Sequence, residues 1–256
     1  MLTFTEAQFA AWISPLLWPF VRVLALFTSA PVLGMRTVPV RVKVALALFI
    51  TVAAQPSLEG GAQVPVIALD SPAALEALLQ NLLIGLTLGF SARVVFAAIE
   101  FAGELIGLQM GLNFAAFFDP ISATQSTAVS RFFGTMATLL FVVMNGHLLL
   151  TAAVIQSFHS FPVGGSPLAF LGAIQPQVWG AEVFRLGLWI ALPIVTMLLF
   201  VNLVLGVISR VASQMNIFAI GFPITLGVGL IGITLTLPMM QVPFTMALER
   251  MLSHFQ

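Results

Sequence analysis

The sequence predicts an all-α, polytopic integral membrane protein with about six apolar segments arranged as helical hairpins. Three observations predict it. Sixty per cent of the residues are hydrophobic and only 7% are charged, where soluble domains carry about 25% charged residues. Mean hydropathy is +1.10. Several apolar runs approach the roughly 20 residues that a helix needs to cross about 30 Å of hydrocarbon.

The first segment, Phe9 to Leu33, is long enough to span, although Pro15 and Pro19 interrupt it and Arg22 sits inside it. A charge at that depth has to be paired or to snorkel. Arg22 is expected at the interface, or against a partner subunit or an acid such as Glu100. Gly34 to Lys43 holds three of the nine basic residues and should face the cytoplasm. Segment two, Val44 to Ala54, reaches spanning length only if Arg41 and Lys43 are included. Gln55 to Glu76 carries Glu59, Asp70 and Glu76 and no Lys or Arg, which suits the far side. Both termini are then expected outside. MLTFTEAQFAAW lacks a basic n-region and a small-residue cleavage site, and reads as the start of the mature chain.

Segment three starts near Leu78. Gly85 and Gly89 form a small-xxx-small pair, a face for close helix approach. The pattern continues into a stretch with the densest charge in the middle of the chain. At 100° per residue, Arg93, Glu100, Glu104, Gly107 and Gly111 fall within about 40° of one line. Gly103 continues the four-residue glycine spacing. A helix from Leu78 to Gly111 would be about 50 Å long. It must break near Ala97 or stand largely against other protein. Proline disfavours helix at its predecessor, so the helix should end by Asp119. The irregular stretch beyond it, about 112–126, carries Asn113, Phe114, Phe117, Phe118, Asp119 and Pro120.

Segment four, Phe132 to Ile155, contains Asn145, Gly146 and His147. His147 has no second histidine or carboxylate three or four residues away, so a hydrogen-bonding role fits better than a ligand role. Segment five starts after Glu182 and Arg185 and runs to Ser209, kinked at Pro193. Segment six runs from Ile217 to Met240 and is rich in glycine. VPFTMALERMLSHFQ looks like a short amphipathic tail.

Net charge is +0 and cysteine is absent. These exclude a nucleic-acid footprint, a disulfide framework and thiolate chemistry. No HExxH, GxSxG, P-loop or GxGxxG is present. Glu100 and Glu104 are either a proton site or, with Arg93 and Arg22, part of a buried charge network. Carboxylates without a nucleophile or metal partner favour the network.

Several pieces together carry a resemblance. AGELIGLQMGLNFAAFFDP is followed by R-F-F-x-x-x-A-T-L-L-F-x-x-x-N-G-H-L-L-L. RVLALFTSAPVLGMRTVPVRVKVALAL precedes them, and FHSFPVG and MNIFAIGFPI come after. In this order and at this length, the chain resembles the flagellar and injectisome type III secretion export-gate family. The resemblance implies a non-enzymatic structural subunit without cofactors, in the bacterial inner membrane at the centre of the flagellar basal body. Its implied partners are FliP-like and FliQ-like membrane subunits, other export-apparatus membrane proteins and exported unfolded protein substrates. It implies a FliP-like region over 1–175 and a FliQ-like hairpin and tail over 176–256. It also implies a loop that projects into a central pore, mapping onto about 112–126, with Phe114, Phe117 and Phe118 as constriction candidates. The competing reading is a proton-coupled small-solute transporter using Glu100 and Glu104.

Overall fold

Proline sets the first packing problem of the fold. Pro19 lies inside α1 (Glu6–Ser29). It has no N–H, so the carbonyl four residues earlier, at Pro15, loses its helical donor. Gln55 of α2 (Val40–Glu59) supplies one, with Nε2 donating to Pro15 O at 2.8 Å. A short 3-10 turn, Val32–Gly34, separates the two helices. The computed structural model describes residues 6–59, 64–112, 126–212 and 217–255.

After α2 the described helices are α3 (Pro72–Gln109), α4 (Ala128–Val143), α5 (Gly146–Ser160) and α6 (Pro167–Ile174). They continue with α7 (Trp179–Val211), α8 (Ile217–Thr236) and α9 (Gln241–Leu252), and a final turn at Ser253–Phe255. No strand occurs among the described residues. Four helical stretches are long and apolar enough to cross a membrane, or up to five if the bent pair α4 and α5 makes one span. The protein is an all-α polytopic membrane protein.

Two expectations about individual segments need adjusting, and for segment three the structure decides between its two alternatives. Segment three does not break near Ala97, because α3 is continuous over 38 residues, about 57 Å. That is nearly twice a hydrocarbon core. Its most apolar part is 67% buried inside the chain, against 17% for Pro167–Val211, so α3 packs largely on protein. Segment four is not one straight helix. It breaks between Val143 and Gly146, where Asn145 adopts φ 55°, ψ 35°. Asparagine tolerates this left-handed conformation better than most residues. Gly146 lies so close to the Phe141 ring that a Cβ there would overlap it. Segment five begins earlier than expected, at Trp179, and runs through Pro193 without a break in the helix.

The chain folds into two compact units, each made of separate pieces. One comprises Met1–Val94, Phe141–Trp179 and Leu248–Gln256. The other comprises Val95–Leu140 and Gly180–Ala247. The boundary expected at 175/176 rests on resemblance to other subunits, which compactness does not test.

In the first unit, Trp18, Leu58, Ile67, Ala74, Ala77, Phe158 and Val163 form a core. Gly85 and Gly89 of α3 take α1 at backbone distance. A Cβ on Gly85 would overlap Arg22 O, and one on Gly89 would overlap the Ser29 hydroxyl. In the second unit, Gly187 of α7 lies against Ala98 O and Phe101 of α3. Phe101 meets Phe184 edge-on at 5.2 Å. Gly232 of α8 receives Met197 and Ile194 of α7.

Candidate functional site

Two polar constellations stand out in so apolar a chain. In the first unit, Arg22 is fully buried. Its Nε donates to Asn81 Oδ1 at 2.9 Å. Nη1 donates to Ser157 O at 2.9 Å and Ser157 Oγ at 3.0 Å. Nη2 donates to Phe161 O at 2.9 Å. The guanidinium also lies 3.7 Å from the centre of the Phe158 ring. Arg22 therefore does not snorkel, and among the described residues it meets no acid. Its acceptors are neutral, and two of them are carbonyls at the C-terminal end of α5. That end carries the negative pole of the helix dipole, and the ring face adds negative potential. Next to it, Gln80 donates to Pro162 O at 2.9 Å and accepts from Gly164 N at 3.0 Å. Together Arg22 and Gln80 fix the FHSFPVGG segment. Sequence reading passed over Gln80 and Asn81, although adjacent amides in an apolar helix are themselves a signal of buried hydrogen bonding.

The second constellation flanks the stretch expected to close a pore. α3 ends well before Asp119. Gly111 has φ 81°, Leu112 N donates to Gly107 O at 3.1 Å, and Gly111 N donates to Leu108 O at 3.0 Å. This is a Schellman stop with glycine in the left-handed position. Gly111 thus terminates the helix. Gly103 and Gly107 instead lie against α4, where a Cβ would crowd Ser130, Phe133 and Val129, or Thr127.

Thr127 is the N-cap of α4, its Oγ1 accepting from Ser130 N at 3.1 Å. Glu104 completes the cap from α3. Its Oε2 accepts from Thr127 N at 2.9 Å and from Thr127 Oγ1 at 3.1 Å. A carboxylate at a helix N-terminus also meets the positive end of the dipole. Ser130 Oγ donates to Glu100 O at 2.9 Å. On the other side, buried Thr225 of α8 donates to Met110 O at 3.2 Å. Gly229 makes room for the Met110 side chain. The two ends of the stretch from Leu112 to Ser126 are therefore held together by Glu104, Gly107 and Thr127, while Met110 ties the first end to α8. Asn113, Phe114, Phe117, Phe118, Asp119 and Pro120 themselves lie outside the described residues.

Among the described residues, Arg22, Arg93, Glu100 and Glu104 form no ion pair with one another; the ion pair present is Arg185–Glu182 at 3.4 Å. The Glu100 side chain lies by Gly134, where a Cβ would come within 2.9 Å of Oε1. Arg93 reaches Gly34. His147 gathers no ligand set, since no three His, Asp or Glu side chains cluster for a metal among the described residues.

Fold and site define a class: a helical membrane protein whose polar side chains anchor its helix ends and connections. Residues 13–251 match the family of bacterial export proteins, family 1, and the chain belongs to it. It is 46% identical over 233 residues to the flagellar biosynthetic protein FliR of Escherichia coli (strain K12), covering 90% of this chain and 87% of that one. It is 44% identical to the FliR of Pectobacterium carotovorum subsp. carotovorum, covering 93% and 90%. It is 31% identical to the FliR of Bacillus subtilis (strain 168), covering 83% and 82%.

Proposed function

We propose that the chain is a non-enzymatic structural subunit of a flagellar type III protein export gate. In this reading it forms part of the protein-conducting pore and its closure in the bacterial inner membrane. It joins FliP-like and FliQ-like subunits, its own 1–175 region being FliP-like and its 176–256 region a FliQ-like hairpin and tail, and unfolded export substrates pass along it. The observation that carries the closure role is the anchoring of the stretch from Leu112 to Ser126. Its ends are tied by the Glu104–Thr127 cap and the Gly107–Thr127 contact. A segment that shuts a pore and yields to cargo needs fixed ends. Rings from Phe114, Phe117 and Phe118 would narrow a wet cavity until it loses its water, which blocks ions without a charged barrier.

The test is made in the assembled complex. Deleting part of 117–125, or replacing the three phenylalanines by alanine, should leave the complex formed and make the membrane leak small ions. A complex that forms and stays tight places the closure in another subunit.

The transporter reading draws on Glu100, whose carboxylate accepts no hydrogen bond among the described residues. It is weakened by Glu104, which is already used as a helix cap. Solute uptake by vesicles holding this chain alone would favour it over the gate.

A further inference from the structure

The cations of the first unit are distributed unevenly. Arg36 and Arg41 are exposed and Lys43 is half-buried, all around the start of α2. Lys43 Nζ donates to Met35 O at 3.3 Å. Arg93 of α3, also exposed, comes to the neighbouring residue, with Nη2 3.4 Å from where a Cβ on Gly34 would sit. So the heads of Lys43 and Arg93 flank one tight turn. None of the four cations has an ion pair among the described residues. The nearest acids on these helices are remote. Glu76 lies about 26 Å back along α3, and Glu59 closes the far end of α2.

The turn itself is rigidly made. Val32 is held at φ 50°, an unusual conformation for a β-branched residue. A Cβ on Gly34 would crowd Thr28 O at 2.8 Å. The turn thus holds the Lys43 and Arg93 heads beside adjacent residues, Met35 and Gly34, with exposed Arg36 and Arg41 close to it in the chain.

An apolar stripe starts at the same place. Ala47, Thr51, Ala54 and Leu58 form the buried face of α2. Val42, Leu46, Phe49 and Val52 are exposed on the other side, Phe49 by 71%. From Val42 to Val52 the stripe measures about 15 Å, half of a roughly 30 Å hydrocarbon core. Its upper end lies between Arg41 and Lys43.

We propose that this surface binds an anionic phospholipid, its phosphate among Arg36, Arg41, Lys43 and Arg93 and its acyl chain along Val42, Leu46 and Phe49. The chemistry matches on both counts. Clustered cations at the end of a membrane helix attract anionic headgroups, and a one-leaflet apolar face matches one acyl chain. An acidic protein segment would satisfy the cations and leave the stripe unused.

The full chain in its native complex is reconstituted in nanodiscs of equal phosphatidylglycerol and phosphatidylcholine. Retained lipids are then counted by native mass spectrometry. Phosphatidylglycerol should be retained several-fold over phosphatidylcholine. Arg41→Gln and Lys43→Gln should each lower that preference about fivefold, while Lys43→Arg keeps it. Excess inorganic phosphate should not displace the lipid. Equal retention of the two lipids, or a preference unchanged in both glutamine variants, overturns the proposal. So does displacement by inorganic phosphate, which would show a site for free anions. If the glutamine variants do not accumulate, the unaltered chain decides. Its preference should fall as salt rises, and a salt-independent preference overturns the proposal.

Discussion

Arg22 shows how a full charge is held in an apolar interior without a carboxylate. Its donors go to Asn81, Ser157 and Phe161, and its face lies on Phe158. Replacing it with methionine keeps much of the volume and takes the donor from Asn81 Oδ1 and Phe161 O, while Ser157 O keeps its bond from Phe161 N. Each buried polar group left unsatisfied costs about 1–3 kcal/mol, so Arg22→Met should destabilise the chain by about 3 kcal/mol or more, read by thermal unfolding in detergent. Arg22→Lys should rescue little, since one ammonium cannot reproduce the planar fork. The two acids should part company in the same assay. Glu104→Ala removes the acceptor for Thr127 and should cost about 1–3 kcal/mol. Glu100→Gln should change stability by less than about 0.5 kcal/mol, as for surface sites without partners. Equal effects at the two positions would contradict the assignment of Glu104 as the cap of α4.

The helices are where the sequence is most and least informative. Apolar periodicity marks where helices lie, and small-xxx-small spacing finds Gly85 and Gly89. It does not show that α3 runs unbroken, because continuity depends on protein covering the helix beyond the lipid thickness. The break at Asn145 is invisible to hydropathy, since both flanks are equally apolar. Only the Asn-Gly pair hints at it. Gly111 shares its spacing with Gly103 and Gly107, yet spacing cannot separate a helix stop from a packing contact; the φ of 81° does. Two substitutions test these elements. Gly85→Ala brings a methyl onto the backbone of α1 at Arg22 and should cost about 1–3 kcal/mol. Asn145→Val forces a β-branched residue into the left-handed region at a similar cost of about 1–3 kcal/mol, while Asn145→Gly should be near neutral. A fully stable Asn145→Val variant would mean that the break between α4 and α5 is not held by this residue.

At the scale of the whole molecule, composition announces a membrane protein, but hydropathy alone overstates how much of it meets lipid. α3 is mostly covered by its own chain, whereas α7 leaves large side chains such as Trp189, Phe200 and Leu203 exposed. In the export-gate reading those surfaces meet other subunits, and the chain has no transport of its own. The most direct measurement is to purify the tagged chain from its native membranes, identify what accompanies it, and assay the same chain alone in vesicles. The account predicts a stoichiometric complex with other small polytopic membrane proteins, and no solute movement by the isolated chain. A stable monomer as the principal native form, moving a solute by itself, would contradict it.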